Sequence, residues 1–415
     1  MAIDDDKLPL NEDYEAGFIS MLDASQAGEV VQIPHPLDKV GEVFNLMPSR
    51  YTLISGSTGS GKTSYADFCH VLAPWSFLQK NDMDIHWEVN YFSLERKRLF
   101  KHAKWVSWMI YRDNTDLLLS ADQILGWKNG PINSEGYKLI RSYDEEMSEL
   151  LDHVTIYDGK VGVKAIEEII EERAHSLGTL FKADEHGVFQ GTMPVYIEKF
   201  DEKNLVETTR RGDKRPYIEL EWEGQKFRLN KHGHRYFPIH PRQFVFFLID
   251  GINLLGKGEV LSAISIVLAN ARDLYGFSPI VITQQNRAMG DITRMKIHGA
   301  DLSPQLEDIF ASSQMGFDAD IVIGLFDPYK YKAWDKEGKY GGYCINPMDS
   351  ISTPSMQTPN GINRFRSMHI LKNTFGADGN KFGMKFLGEC NHFQTLPFPD
   401  SAEMEVIYSD IRKGV

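Results

Sequence analysis

The residues Gly56-Ser57-Thr58-Gly59-Ser60-Gly61-Lys62-Thr63 match the pattern GxxxxGK[ST] in full. Glycines at those positions permit a tight turn whose amides face inward, and a helix starting at the lysine aims further amides at phosphate oxygens. Lys62 then neutralises charge at the β- and γ-phosphates, and the Thr63 hydroxyl is offered to Mg²⁺. The expected ligand is ATP, or another nucleoside triphosphate, with Mg²⁺. A second acid must complete the metal end, and the apolar run Phe244-Val-Phe-Phe-Leu-Ile ends in Asp250, suited to hold the ion's coordination shell through water. Glu95 closes Tyr91-Phe-Ser-Leu-Glu. At a strand tip beside the loop it can polarise an attacking water, although taken alone it is equally a surface carboxylate. Gln284 closes Pro279-Ile-Val-Ile-Thr-Gln and can touch both a γ-phosphate and a mobile loop, or be a plain polar cap. The stretch after it carries Arg287, Arg294, Lys296 and His298. It is either a basic loop that grips a phosphate backbone or a solvated connection.

These residues need strands that bring them to one edge. Strands are expected at Tyr51–Ser55, Glu88–Leu94, Val154–Tyr157, Phe244–Ile249, Pro279–Thr283 and Ile321–Leu325, with late strands near Met368–Leu371 and Phe382–Leu387. Helices are expected from about Lys62, with Pro74 bending or ending the first, over Arg98–Tyr111, Val163–Leu177 and Ser262–Tyr275. The continuous apolar character of Phe244–Ile249 suits a central parallel strand covered on both faces. Alternating strands and helices around a phosphate loop describe an α/β nucleotide-binding domain. Residues 181–240 break the rhythm with short alternating pieces such as Tyr217-Ile-Glu-Leu-Glu-Trp222, and are expected to be a β-rich insertion. Its basic residues (Arg210, Arg211, Lys214, Arg215, Lys226, Arg228, Lys231, Arg235) are interspersed with Tyr217, Trp222, Phe227, Tyr236 and Phe237. That mixture either binds single strands or forms the core and solvated face of a small β-subdomain.

Composition sets the outer bounds. The chain has 415 residues, 42% of them hydrophobic and 25% charged, as in ordinary globular proteins. A formal net charge of -13 excludes a surface that attracts nucleic acid by bulk charge, but not a local basic channel. The cysteines Cys69, Cys344 and Cys390 lie far apart, which points to neither a disulfide framework nor zinc. The acidic start MAIDDDKLPLNEDYE lacks the features of a signal peptide. No apolar stretch is long enough to span a bilayer, so a cytoplasmic location and no membrane partner are expected.

Taken in order, the segments resemble the ATPase domain of DnaB-type replicative helicases, a RecA-like P-loop fold. PLDKVGEVFNLMPSRYTLISGSTGSGKT is similar to that family's approach to its phosphate loop, and YFSLE to the strand with its catalytic glutamate. FLIDGINLL resembles its second nucleotide motif, and ITQQNR its SQLNR signature. IYDGKVGVKAIEEIIEERA, LEDIFASSQMGFDADIVIGLF and MHILKNTFG…MKFLGE resemble the next strand and helix, the paired aspartates with a strand, and the final hairpin. The resemblance covers residues 34–180 and 241–395. It leaves 1–33 as an N-terminal arm, 181–240 as the insertion and 396–415 as a C-terminal tail. It implies a RecA-like core with a mainly parallel sheet. It also implies a homo-oligomer, usually a hexameric ring, with ATP at subunit interfaces and single-stranded DNA in the channel, together with contacts to replication proteins. By residue, it implies Lys62 and Thr63 at the phosphates, Glu95 as catalytic glutamate, Asp250 on the Mg²⁺ side and Gln284 as sensor. It further implies Lys372 as the lysine of a KxR element that reaches a neighbour's γ-phosphate.

The chain departs from that pattern in three ways. Thr374 stands where KxR has arginine, so either hydrolysis is weak or an arginine such as Arg364 or Arg366 substitutes. The family's separate helical N-terminal domain has no counterpart ahead of Gly56. The insertion at 181–240 has none in the family. The expected function is therefore an ATP-dependent DNA helicase of the DnaB type. The alternatives are a RecA-like ATPase that serves DNA or a protein without unwinding (loader, recombination mediator or packaging accessory) and a low-turnover nucleotide-binding assembly or regulatory module.

Overall fold

The structure, a computed structural model, describes residues 20–26, 31–159, 161–184, 187–190, 193–196, 217–230, 233–285, 303–309, 313–328, 343 and 364–413. In chain order the first strands are β1 (Thr52–Gly56), β2 (His86–Ser93) and β3 (Val154–Tyr157). Next come β4 (Gly178–Asp184), β5 (Gly187–Gln190), β6 (Met193–Tyr196), β7 (Tyr217–Trp222), β8 (Gln225–Asn230) and β9 (His234–Pro238). The last are β10 (Gln243–Asp250), β11 (Ser278–Gln284), β12 (Ile321–Phe326), β13 (Phe365–Asn373), β14 (Lys381–Leu387) and β15 (His392–Thr395). The chain divides into two units, one of residues 33–166 and 244–415, the other of 1–32 and 167–243.

The larger unit is built on a nine-stranded sheet in the order β15-β14-β13-β12-β1-β11-β10-β2-β3. β1 runs parallel to both β11 and β12, β10 is parallel to β11, and β2 to β3. The far edge turns antiparallel through β12–β13, β13–β14 and β14–β15. Every residue of β1, β10 and β12 is buried, which is why Phe244–Ile249 within β10 and most of β12 read as apolar runs. The fold is thus the α/β nucleotide-binding class expected, a mainly parallel sheet with extra strands.

Helix α1 (Lys62–Asp67) leaves the phosphate loop, passes through a π turn at Phe68–Leu72 and continues as α2 (Ala73–Lys80). Pro74 lies in the first turn of α2, where its missing N–H costs little; the π turn absorbs the irregularity and the helical path goes on. Helix α3 (Arg98–Asp113) buries Trp105, Trp108 and Met109, and α4 (Glu259–Tyr275) buries Leu261, Ile264 and Leu268. Helix α4 starts three residues earlier than its apolar periodicity suggested and ends on Gly276 in the left-handed conformation, φ 72°. A short helix, α5 (Ser313–Asp318), precedes β12. The segment expected as a tail contains α6 (Ala402–Lys413), whose Met404 packs in a buried cluster with Tyr343, Phe365 and Leu396.

The smaller unit has a four-stranded antiparallel sheet, β6-β5-β4-β9, and the hairpin β7–β8. Its core is Phe181, Ala183, Val188, Phe227 and Leu229, with Leu220, Trp222 and Phe237 packed against it. Trp222, Phe227 and Phe237, which sequence alone could assign to base stacking, are therefore used for packing: Phe181 lies 5.1 Å from Phe227 and 5.4 Å from Trp222, centroid to centroid. Residues 210, 211, 214, 215 and 231 lie outside the described residues.

Candidate nucleotide site

Residues at the carboxyl ends of neighbouring strands meet over the phosphate loop, the usual place for a ligand in an open α/β sheet. Gly56 ends β1 in register with Gln284 of β11 and Leu325 of β12. A Cβ on Gly56 would lie 2.6 Å from the Leu325 carbonyl oxygen and 2.5 Å from Ser60 Oγ, so the turn requires glycine. Gly59 and Gly61 take φ of 84° and 97°, open to glycine with little strain. A Cβ on Gly61 would press on Phe386 and Phe393 at 3.1 and 3.0 Å. Those two rings stack with centroids 4.4 Å apart, so the β14–β15 edge forms a floor under the loop.

The loop is chemically ready for phosphate. The Ser57 and Ser60 hydroxyls are buried with no hydrogen-bond partner among the described residues. Lys62 Nζ donates to the carbonyls of Gly56 and Ser57 at 2.8 and 2.9 Å, folded back over the cradle its ammonium would share with anionic oxygens. Thr63 Oγ1 donates to Asp250 Oδ1 at 2.9 Å. A hydroxyl beside a buried carboxylate is the oxygen donor set that a magnesium ion takes along with substrate phosphates. The residues present thus fit Mg²⁺ with a triphosphate, Thr63 and Asp250 being those that would hold the ion.

Glu95 sits just beyond β2. The amide of Leu94 donates to the Asp250 carbonyl at 3.1 Å, which ties the two acid-bearing strand ends together. Gly251 follows Asp250 with φ 93°, and a Cβ there would lie 2.6 Å from Glu95 Cγ. Only glycine lets the two acids stand so close. Glu95 and Gln284 are exposed whereas Asp250 is buried, so the former two face the space above the loop. Lys62, Thr63, Glu95, Lys101, Asp250 and Gln284 all line one cavity of about 310 Å³. Arg287, Arg294, Lys296 and His298 lie outside the described residues.

Lys372 lies next to the last residue of β13, and Thr374 follows the end of the strand at Asn373. In this chain the Lys372 ammonium donates to the carbonyls of Gly316, Phe317 and Ala319 at 3.1, 2.8 and 2.5 Å. It thus caps the end of α5, where carbonyls lack helical partners and the dipole favours a cation. Thr374 Oγ1 donates to the Asp320 carbonyl at 3.1 Å. The substitute arginines are also engaged within the chain. Arg364 reaches Glu389 at 3.4 Å. Arg366, 4% exposed, pairs with Asp327 at 3.2 Å and contacts the Gly59 carbonyl at 3.4 Å. Burial pulls its pKa below the usual arginine range, with Asp327 opposing.

Sequence reasoning missed Lys101. It falls on the buried face of α3, one turn before Trp105 and two before Trp108, and is 1% exposed. It lies 3.4 Å from Asp67 Oδ1 and 3.3 Å from Asp250 Oδ2, and donates to the Tyr91 hydroxyl. The available signal was a lysine in phase with the tryptophans of an amphipathic helix, a place where charge persists only if paired.

No protein-family profile and no curated protein sequence matches this chain. Solved structures do. One, the structure of an ATPase domain on its own, superposes with a TM-score of 0.54 at 16% identity, covering 92% of this chain and 99% of that one. A DnaB-like replicative helicase, described with its interactions with primase, gives 0.55 at 16% identity, covering 94% of this chain and 68% of that one. The likeness is one of fold: a mixed α/β architecture on a mainly parallel central sheet with extra strands, consistent with a RecA-like P-loop core. Among the described residues no helix is long and apolar enough to cross a membrane.

Proposed function

We propose that the chain is a RecA-like ATPase that hydrolyses Mg²⁺-ATP and delivers the work to a DNA or protein partner, as a loader, recombination mediator or packaging accessory does. The observation that carries this is the convergence of Lys62, Thr63, Glu95, Asp250 and Gln284, drawn from four strand ends, on one cavity. Lys62 and the loop amides hold the β- and γ-phosphates. Glu95 takes the proton of the attacking water. Gln284 would touch the γ-phosphate and so pass the state of hydrolysis to the chain that follows it. When bound, Mg²⁺ supplies charge neutralisation on the phosphate oxygens. Three acidic or amide groups at strand tips suit attack by water better than transfer to a separate acceptor. The test is phosphate release by the full chain with and without single-stranded DNA. Release that depends on Lys62 is the expected result. Tight ATP binding with no release would instead favour a regulatory nucleotide module.

Translocation and unwinding in a DnaB-type hexameric ring form the second reading, favoured by a superposition on a DnaB-like replicative helicase that takes in 94% of this chain. There Lys372 leaves its carbonyls to reach a neighbour's γ-phosphate, and Arg287, Arg294 and Lys296 face single-stranded DNA. Strand displacement on a forked duplex, with mass measured by light scattering, separates the two readings. Neutralising Arg294 and Lys296 should also flatten the salt dependence of single-strand binding, by about 0.7 in slope for each phosphate no longer neutralised. A monomer with full turnover and no displacement excludes the ring.

A further inference from the structure

Two carboxylates lie in the wall of the cavity, Asp67 on α1 and Asp250 at the end of β10, each 1% exposed. One ammonium serves both. Lys101 Nζ is 3.4 Å from Asp67 Oδ1 and 3.3 Å from Asp250 Oδ2. The remaining acceptor positions are taken in an ordered way. The Tyr91 hydroxyl donates to Asp67 Oδ1 at 2.7 Å and accepts from Lys101, whose Nζ also lies 3.9 Å from the Tyr91 ring centroid. Asn391 Nδ2 donates to Asp67 Oδ2 at 3.0 Å. The second oxygen of Asp250 accepts from Thr63. Five elements (α1, β2, α3, β10 and the β14–β15 turn) meet in this network.

Two buried carboxylates so close require a cation, because an unpaired buried charge is severely unfavourable. A magnesium ion that arrives and leaves with its nucleotide cannot be that cation, since the protein must remain folded between turnovers. We propose that Lys101 is a positioning residue and the permanent counter-cation at the metal end of the nucleotide site. It holds Asp250 by one oxygen, anchored through Tyr91 and Asp67, so that the other oxygen stays directed at Thr63 and the incoming ion. With two carboxylates and one ammonium the trio keeps one net negative charge, enough to attract a divalent ion without trapping it. This rests on the cavity being a Mg²⁺-nucleotide site.

Charge balance gives a test that packing alone does not pass. Lys101→Met keeps the length of the stem and removes the charge. Lys101→Met combined with Asp67→Asn restores one net negative charge. Thermal unfolding of the full-length protein without nucleotide is followed in EDTA and across a MgCl₂ series. Wild type is expected to unfold at the same temperature throughout. Lys101→Met should fall by roughly 5 °C or more in EDTA and recover with MgCl₂. The double variant should regain part of that loss in EDTA and depend less on Mg²⁺ than Lys101→Met does. Asp67→Asn alone should raise, by about threefold or more, the MgCl₂ needed for half-maximal binding of a non-hydrolysable ATP analogue, since the site loses a nearby negative charge. A Lys101→Met protein as stable as wild type in EDTA overturns the proposal. So does a loss rescued by neither MgCl₂ nor Asp67→Asn, including failure of both variants to fold. Wild type that binds no ATP analogue at any MgCl₂ concentration would withdraw the nucleotide site and the metal role together, whereas intact analogue binding with a failed EDTA series removes the role of Lys101 alone.

Discussion

Among the described residues, Glu95 is placed by its neighbours rather than by its own side-chain bonds. It follows β2 directly, the Leu94 amide is fixed to the Asp250 carbonyl, and Gly251 clears the space its side chain occupies. Glu95→Gln keeps the volume and removes the base. ATP binding should persist while turnover falls by roughly ten- to a thousandfold; a variant that hydrolyses normally would return Glu95 to the solvated surface. Gly251→Ala should act on the same function from the other side. Its φ of 93° disfavours any side chain, and its Cβ would meet Glu95 Cγ at 2.6 Å. The expected result is a loss of about 1 kcal/mol or more in urea unfolding, together with slower turnover at retained nucleotide affinity. Normal turnover in a Gly251→Ala protein would mean that Glu95 does not need its present position. Lys62→Ala should abolish most nucleotide binding or turnover, because the phosphates lose their nearest cation; unchanged binding and turnover would remove the phosphate-loop assignment.

At the scale of elements, β13 is the strand with two possible allegiances. Its Lys372 closes α5 through three carbonyls, and Thr374, just past its end, donates to the Asp320 carbonyl. Asp320 in turn accepts from the Tyr51 amide at 2.9 Å and pairs with Arg272 at 3.0 Å. The aspartates of Phe317-Asp-Ala-Asp320 therefore knit α4, α5 and the start of β1, since Ser265 Oγ also donates to Asp318 at 2.6 Å. Lys372→Ala should cost about 1 kcal/mol of stability through loss of the helix-end cation, read by urea denaturation of the isolated chain. If Lys372 also serves a neighbour, mixing Lys372→Ala subunits with Glu95→Gln subunits should restore activity above either parent, because some interfaces would again hold both intact groups. Confirmed mixed assemblies without rescue would leave Lys372 as a cap alone.

Over the whole molecule, buried histidines tie stability to pH. The Leu37 amide donates to His35 Nδ1 at 3.1 Å, which leaves the ring proton on Nε2, 3.1 Å from the Tyr65 hydroxyl. Burial, then the nearby His70, pushes the His35 pKa down to about 3, and burial does the same to His70. Both stay neutral in the folded protein, while in the unfolded chain they titrate near 6.5. The unfolded state therefore binds more protons below about pH 6.5, and stability falls with pH from there to about 3. At about pH 5 each histidine costs about 2 kcal/mol relative to about pH 7.5. The urea midpoint should drop accordingly, and His70→Gln should flatten that drop. A midpoint with the same pH slope in wild type and His70→Gln would show that these rings do not govern the acid limb.

Local patterns carried much of the fold. The phosphate loop, the apolar runs ending in Asp250 and Gln284, and the span of β3 could be read directly because each is set by local steric and hydrophobic rules: glycine where φ is positive, continuous apolar character where both faces are covered. Strand ends agreed within two residues for β1, β2, β10 and β11, since apolar alternation does not mark where pairing stops. What could not be read there depends on residues distant in sequence. Lys101 is far along the chain from Asp250, and nothing local says that a lysine in a tryptophan stripe has two carboxylates waiting. Arg366 gave no local sign that it would lie under Gly59. Trp222, Phe227 and Phe237 suited base stacking as well as packing until their tertiary neighbours were known. Charge and ring partners are chosen by contact, and contact is a property of the tertiary structure; that is why the residues of the proposed nucleotide site could be named from sequence, while the contacts of Lys101 and Lys372 within the chain were decided only by the fold.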